Sequence, residues 1–269
     1  MANSEKFGNW TENVRSERLS DALEWSRKGD RIALDYFQEI SAERKSDQTI
    51  VTQADREIEQ MLRDQIQSCY PGDSIVGEEG SDRVKGRYCW YLDPIDGTAS
   101  YAAGLPIWAI SIGIKNETSW IGGILSVSFL EDLYYGESNF TAKNGEPLNR
   151  QRPLFDDPEA LLCVASDAHE NYRISFPGKT RCLGSSAFHM ILVVEGRACA
   201  ALLSRIHIWD LAGVWALKQG VDCEFSLLGL YSKTPPEWPQ LLRGKRSEEP
   251  LIFSSKEMID RVMDYVEAQ

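Results

Sequence analysis

The stretch "YCWYLDPIDGTASY", residues 88–101, restricts the fold more than any other. An apolar run at 88–92 reads as a buried strand, and it leads into two aspartates, Asp93 and Asp96, three positions apart. Ionised carboxylates are costly to bury unless they are paired or hold a cation. Pro94 removes a backbone donor and keeps Asp93 extended, so the strand is expected to end at Asp93. Ile95 can then turn inward and let the two carboxylates converge on one side of a turn. Gly97 admits a tight backbone, and Thr98 is placed to cap a short helix over "ASYAAG".

The rest of the chain sets limits on partners. With 269 residues and 42% hydrophobic content, it can bury one large core or two modest ones. A net charge of −12 argues against nucleic acid and anionic membranes. No stretch nears the roughly 20 apolar residues of a membrane span, and "MANSEKFGNWTENVRSERLS" contains no apolar core of a signal peptide. Six scattered cysteines without a C-x-x-C pair read as reduced thiols of a cytoplasmic protein.

Periodicity predicts a helix over 16–41 and a second that Asp55 caps or opens, with Ile58, Met61, Leu62 and Ile66 as its apolar stripe. Strands follow at "SIVGEEG", "GRYCWYL", "IWAISIGIK", "WIGGILSVSFL" and "DLYYGES", and "KNGEPLN" carries a hairpin signal. Around "NRQRPLFDDPEA" the chain turns polar, so the boundary between an α+β part, 1–150, and an α/β part, 151–269, is placed there. Beyond it come a strand in "ALLCVAS", a helix in "SSAFHMILVVEGR", a strand in "ACAALLS", a helix in "WDLAGVWALKQG", a strand in "PLIFSS" and a final helix.

The free amides at the helix start after Gly97 suit a phosphate. Two carboxylates beside a phosphate repel it unless divalent cations intervene, and an all-oxygen donor set favours Mg²⁺. Five elements in order, "VTQAD" (51–55), "GEE" (77–79), "DPIDGT" (93–98), "LGSSA" (183–187) and "WDLAG" (209–213), make the chain resemble the inositol monophosphatase family of Mg²⁺-dependent, lithium-sensitive phosphomonoesterases. The likeness runs from about residue 16 to the last helix. It implies a five-layered α/β/α/β/α sandwich, a homodimer, two or three Mg²⁺ ions, and hydrolysis of a small phosphorylated metabolite by metal-activated water.

The resemblance also implies roles for particular residues. Glu78, Asp93 and the Ile95 carbonyl match ligands of a first metal; Asp93, Asp96 and Asp210 match those of a second; Asp55 and Glu78 match contributors to a third. Thr98, assisted by Asp55, matches the holder of the attacking water, and the Gly97 and Thr98 amides match the phosphate site. Gly184 and Ser185 match positions near the organic part of the substrate, where Asp210 and Arg205 also belong.

Single residues have plainer readings. Asp55 and Asp210 each suit a helix cap, Glu79 an acid that is solvated or stands behind the metal ligands, Lys45 a surface lysine, His207 a histidine that is packed or stands behind the ligands, and Ser166 a strand end. A dehalogenase-type D-x-D-G-T nucleophile does not fit, because two residues separate the aspartates and "WDLAG" has no place there. Leu203 stands seven residues before Asp210, where many inositol-hydrolysing relatives carry an acid, with Arg205 beside it. Inositol phosphate, histidinol phosphate, sugar phosphates and 3′-phosphoadenosine phosphate all remain as substrates. A non-catalytic scaffold of the same fold is the alternative of another class.

Overall fold

The computed structural model describes residues 14–39, 42–44, 50–80, 86–151, 155–228, 241–247 and 249–269. Its helices are α1 (Glu17–Tyr36), α2 (Gln53–Cys69), α3 (Thr98–Ala102), α4 (Ala168–Asn171), α5 (Ser186–Val194), α6 (Ile208–Leu217) and α7 (Ile259–Met263).

A seven-stranded sheet runs in chain order from Ser74–Gly77 through Tyr88–Asp96, Ala109–Asn116, Trp120–Val127, Asp132–Glu137 and Phe140–Lys143 to Glu146–Pro147. Only its first pair is parallel; the others are antiparallel. The last turn holds Asn144 and Gly145 at φ 50° and 91°, the left-handed pair that Asn-Gly tolerates in a tight hairpin. A five-stranded sheet has the order Lys179–Arg181, Leu161–Val164, Ala200–Leu203, Leu251–Ser255, Cys223–Leu227. Its first three strands are parallel.

Three buried clusters separate five layers. The apolar stripes of α1 and α2, with Leu19, Ile58, Leu62 and Ile66, cover one face of the large sheet. On the opposite face α5 and α6 fill the space to the small sheet, where Ala201, Leu203, Phe225 and Phe253 point inward. Beyond the small sheet, Leu162, Ala200, Leu202 and Ile252 pack on Ile259 and Val262 of α7. The α/β/α/β/α order expected from the sequence is therefore present.

Helix α6 lies unusually close to the large sheet. A Cβ on Gly113 would meet Ala212 Cβ at 2.5 Å, and one on Gly213 would meet Ser111 Oγ at 2.7 Å. Ser111 Oγ donates to the Trp209 carbonyl at 3.1 Å. The small residues of "WDLAG" thus let the first turn of α6 rest directly over the strand that follows Asp93.

Two elements differ from the sequence reading. The final helix does not run to Gln269: α7 stops at Met263, and Val266–Ala268 pairs antiparallel with Tyr172–Ile174. The strand carrying Asp93 does not end there but continues to Asp96. Among the described residues no helix is long and apolar enough to cross a membrane.

Candidate metal centre and phosphate site

A regular strand puts residues i and i+3 on opposite faces, so Asp93 and Asp96 would diverge. The structure prevents this with a bulge. Asp93 pairs with Ser111 and Asp96 with Ala109, so two residues, Pro94 and Ile95, stand opposite one, Ile110. The extra residue brings both carboxylates to one face, and Pro94, which has no N–H to contribute, sits where the ladder is already broken. Oxygens of Asp93, Asp96 and Asp210 lie within 4.8 Å of one another, and so do oxygens of Asp55, Glu78 and Glu79.

Three of these acids are anchored to helix N-termini. Asp55 does not cap α2. Thr52 is the cap, and Asp55 is the third helical residue, whose Oδ2 accepts from the Thr52 amide at 2.8 Å. Asp210 repeats the pattern in α6, with Oδ2 accepting from the His207 amide at 2.7 Å. Asp96 accepts from the Ala187 amide of α5 at 2.9 Å and from the Ser185 hydroxyl. The partial positive charge of a helix N-terminus favours carboxylates, and α2, α5 and α6 each supply one.

Even so, ionisation of the group is disfavoured. Burial raises Asp55 and Asp96 to about 6, against hydrogen bonds from Thr52 and Ser185 respectively that lower them. Burial and then Asp96 raise Asp210 to about 7. Asp93 is raised well above its usual range by burial, then by Glu78, Asp96, Asp210 and Asp55. Its Oδ1 is buried with no hydrogen-bond partner among the described residues. An orphaned carboxylate oxygen beside four other acids suits a hard cation, which restores the missing partner and offsets the mutual repulsion.

Of the two readings of Glu79, solvated or behind the metal ligands, the structure favours a place at the site, beside Asp55 and Glu78. The doubled glutamate of "GEE" was the available signal. Thr98 is not the cap of α3 either. Gly97 holds that position at φ 94°, which frees the Thr98 hydroxyl to lie 3.1 Å from Asp55 Oδ1 and 2.9 Å from the Ile95 carbonyl.

On the side expected to meet the organic group, Gly97 and Gly184 touch. A Cβ on Gly97 would come 2.7 Å from the Gly184 carbonyl, so glycine is required both for conformation and for space. Ser185 is buried: its hydroxyl caps α5, accepting from the Phe188 amide at 3.0 Å, and donates to Asp96. Both of these bonds of the Ser185 hydroxyl are to the protein. Leu203 is 1% exposed and packs in the core, so it presents no apolar surface to a ligand. Arg205 is exposed with φ 54°. Next to it Ser204 donates to Asp167 Oδ1 at 2.5 Å. Asp167, Gly184 and Ser204 all follow the C-terminal ends of the three parallel strands, the usual place for a ligand crevice. Ser166 is exposed there, with Cys182 Sγ 3.6 Å from its hydroxyl. His207 stacks on Trp209 with ring centres 4.4 Å apart, a packed role. Lys45 lies outside the described residues.

Known proteins are similar to this chain in sequence and fold. Residues 15–229 match the family model described as Inositol monophosphatase family. A histidinol-phosphatase of Chlorobaculum parvum is 33% identical over 227 residues, 80% of this chain and 87% of its own. An inositol-1-monophosphatase of Bacillus subtilis is 32% identical over 263 residues, 91% of this chain and 96% of its own. Among solved structures, a Thermotoga maritima IMPase superposes with a TM-score of 0.76 at 26% identity, over 93% of this chain and 96% of that one. The chain therefore belongs to the inositol monophosphatase family and is a phosphoric monoester hydrolase.

Proposed function

We propose that the chain hydrolyses a small phosphate monoester with Mg²⁺, using Asp93, Asp96, Asp210 and Glu78, with the Ile95 carbonyl, to hold two ions and Asp55, Glu78 and Glu79 to hold a third. The observation that carries this reading is the orphaned, buried Oδ1 of Asp93, a member of one acid cluster with Glu78 and Asp55 of the other acting on it. Bound Mg²⁺ supplies positive charge for the phosphoryl group and makes water a stronger acid.

The protein's own part follows from the geometry. Thr98 orients the attacking water through its hydroxyl. The proton then passes toward Asp55 Oδ1, since Oδ2 is occupied by Thr52. Burial suits Asp55 to this task, because a carboxylate with a raised pKa near 6 is a stronger base than an exposed one. The Gly97 and Thr98 amides receive phosphate oxygens at the start of α3. Phosphate release from a panel of monoesters, with Mg²⁺ and with chelator, tests this. No release from inositol, histidinol, sugar or nucleotide monophosphates in Mg²⁺ would leave the scaffold reading standing.

The proposal extends to Li⁺ inhibition, because Asp93, Asp96 and Asp210 form a compact all-oxygen group. Titrating Li⁺ at limiting Mg²⁺ checks it, and unchanged rates at high Li⁺ refute it. It extends also to a homodimer, on family likeness, for which sedimentation equilibrium is the check.

A further inference from the structure

We infer that Glu59 and Arg63 are positioning residues that set the cation affinity of the Asp55, Glu78 and Glu79 group; the inference rests on the metal-dependent reading above. Asp55, Glu59 and Arg63 follow one another at four-residue steps on α2 and so share a helix face. Asp55, at the top of that face, faces the two glutamates.

The two residues below it grip the loop that carries those glutamates. Glu59 Oε1 accepts from Arg63 Nε at 2.7 Å, in a pair whose side chains are 3% and 11% exposed. Glu59 Oε2 accepts from the Glu79 amide at 2.8 Å. Arg63 Nη2 donates to the Gly80 carbonyl at 2.9 Å. The pair lies directly beneath the loop backbone. A Cβ on Gly77 would come 2.5 Å from Glu59 Oε1, and one on Gly80 would come 2.7 Å from Arg63 Nη2. The two glycines of "GEEG" therefore flank the two acids and admit the two halves of the ion pair.

The arrangement has a purpose beyond stability. A buried ion pair is a weak stabiliser, since desolvation offsets most of its attraction. Asp55, Glu78 and Glu79 repel one another, and a loop free to move would relieve that by spreading them apart. Fixing the Glu79 amide and the Gly80 carbonyl on α2 keeps the glutamates facing Asp55 in the absence of a cation. Pre-organisation of this kind raises cation affinity, as outer groups that orient ligands do elsewhere.

The test is Mn²⁺ binding to purified protein without substrate, followed by the electron paramagnetic resonance of free Mn²⁺. Glu59→Ala and Arg63→Met are expected to weaken the class of Mn²⁺ sites that draws on Glu78 and Glu79 about tenfold or more and to leave the class held by Asp93, Asp96 and Asp210 unchanged. The Mg²⁺ concentration for half-maximal turnover is expected to rise by the same factor, with substrate KM at saturating Mg²⁺ unchanged. Glu59→Gln keeps an acceptor for the Glu79 amide and is expected to fall between. If Glu59→Ala does not fold, Arg63→Lys, which retains charge but not the two-point grip, decides in the same way. Unchanged Mn²⁺ affinity in folded variants overturns the clamp, and so does equal weakening of both classes. Absence of Mn²⁺ binding by the wild type sinks the metal-dependent reading along with it.

Discussion

The hydroxyl of Thr98 lies 3.1 Å from Oδ1 of Asp55, although 43 positions separate the two residues. The contact links the first turn of α2 to the first residue of α3. It leaves Asp55 one oxygen for Thr98 and one for Thr52. Thr98→Ala and Asp55→Asn are each expected to lower kcat by about a hundredfold, the usual scale for a positioned proton acceptor. Steady-state kinetics of the double variant checks the linkage: if the two residues act as one unit, the losses do not multiply.

Asp93→Asn should be more damaging, because Asp93 is proposed to serve two ions. A loss of kcat of at least about a hundredfold, roughly 2.7 kcal/mol in the barrier, is expected. The same change removes a repelled, buried charge, so the metal-free variant should melt at a higher temperature than the metal-free wild type. A folded variant retaining most of its phosphatase activity would falsify the ligand assignment.

The effect of Mg²⁺ on stability should depend on pH. Asp55, Asp96 and Asp210 are raised from 3.8 to about 6, 6 and 7 in the folded protein. Between about pH 4 and pH 7 the folded state therefore holds more protons than the unfolded one, and the metal-free protein loses stability as pH rises. Mg²⁺ needs the deprotonated acids, so the stabilisation it gives grows over the same window. Thermal melting with and without Mg²⁺ should show a larger shift at pH 8 than at pH 5. Equal shifts at the two pH values would contradict the account.

Ser185→Ala separates a role in substrate binding from a role in holding Asp96. Loss of the α5 cap is expected to cost about 1 kcal/mol of stability. Loss of the hydroxyl on Asp96 is expected to raise the Mg²⁺ requirement while substrate KM at saturating Mg²⁺ stays constant. A change confined to KM would return Ser185 to the substrate.

Arg205 is exposed at the rim, beside the Ser204–Asp167 hydrogen bond. If it holds a second anionic group, Arg205→Ala should lower kcat/KM for bis-anionic esters by about tenfold, the worth of a charge-assisted hydrogen bond. Inositol monophosphate hydrolysis should be unaffected. Equal effects on both substrates would remove Arg205 from specificity.

The local elements were largely legible in the sequence, because they follow from periodicity and punctuation. The stripe Ile58, Leu62 and Ile66 announced α2, and Asn144-Gly145 announced the hairpin. The doublet Asp93 and Asp96 at the end of an apolar run marked buried acids in need of a partner, and the five short motifs pointed to the family. What the sequence alone did not reveal depends on distance in space. The terminal strand Val266–Ala268 forms because Tyr172–Ile174 offers it a ladder. Asp93 and Asp96 converge, as expected, but through a bulge in which Pro94 and Ile95 stand opposite Ile110 alone, and only the neighbouring strand creates that bulge. Ser185 turns to Asp96, Leu203 enters the core and Glu59 reaches the Glu79 amide because layers far apart in sequence close upon one another. Residue type and spacing pointed to the acids and to the fold; the packing of α5 and α6 on the sheet decided that Oδ2 of Asp96 and of Asp210 is bound by the protein, and that of α2 that Asp55 turns one oxygen to Thr52 and one to Thr98.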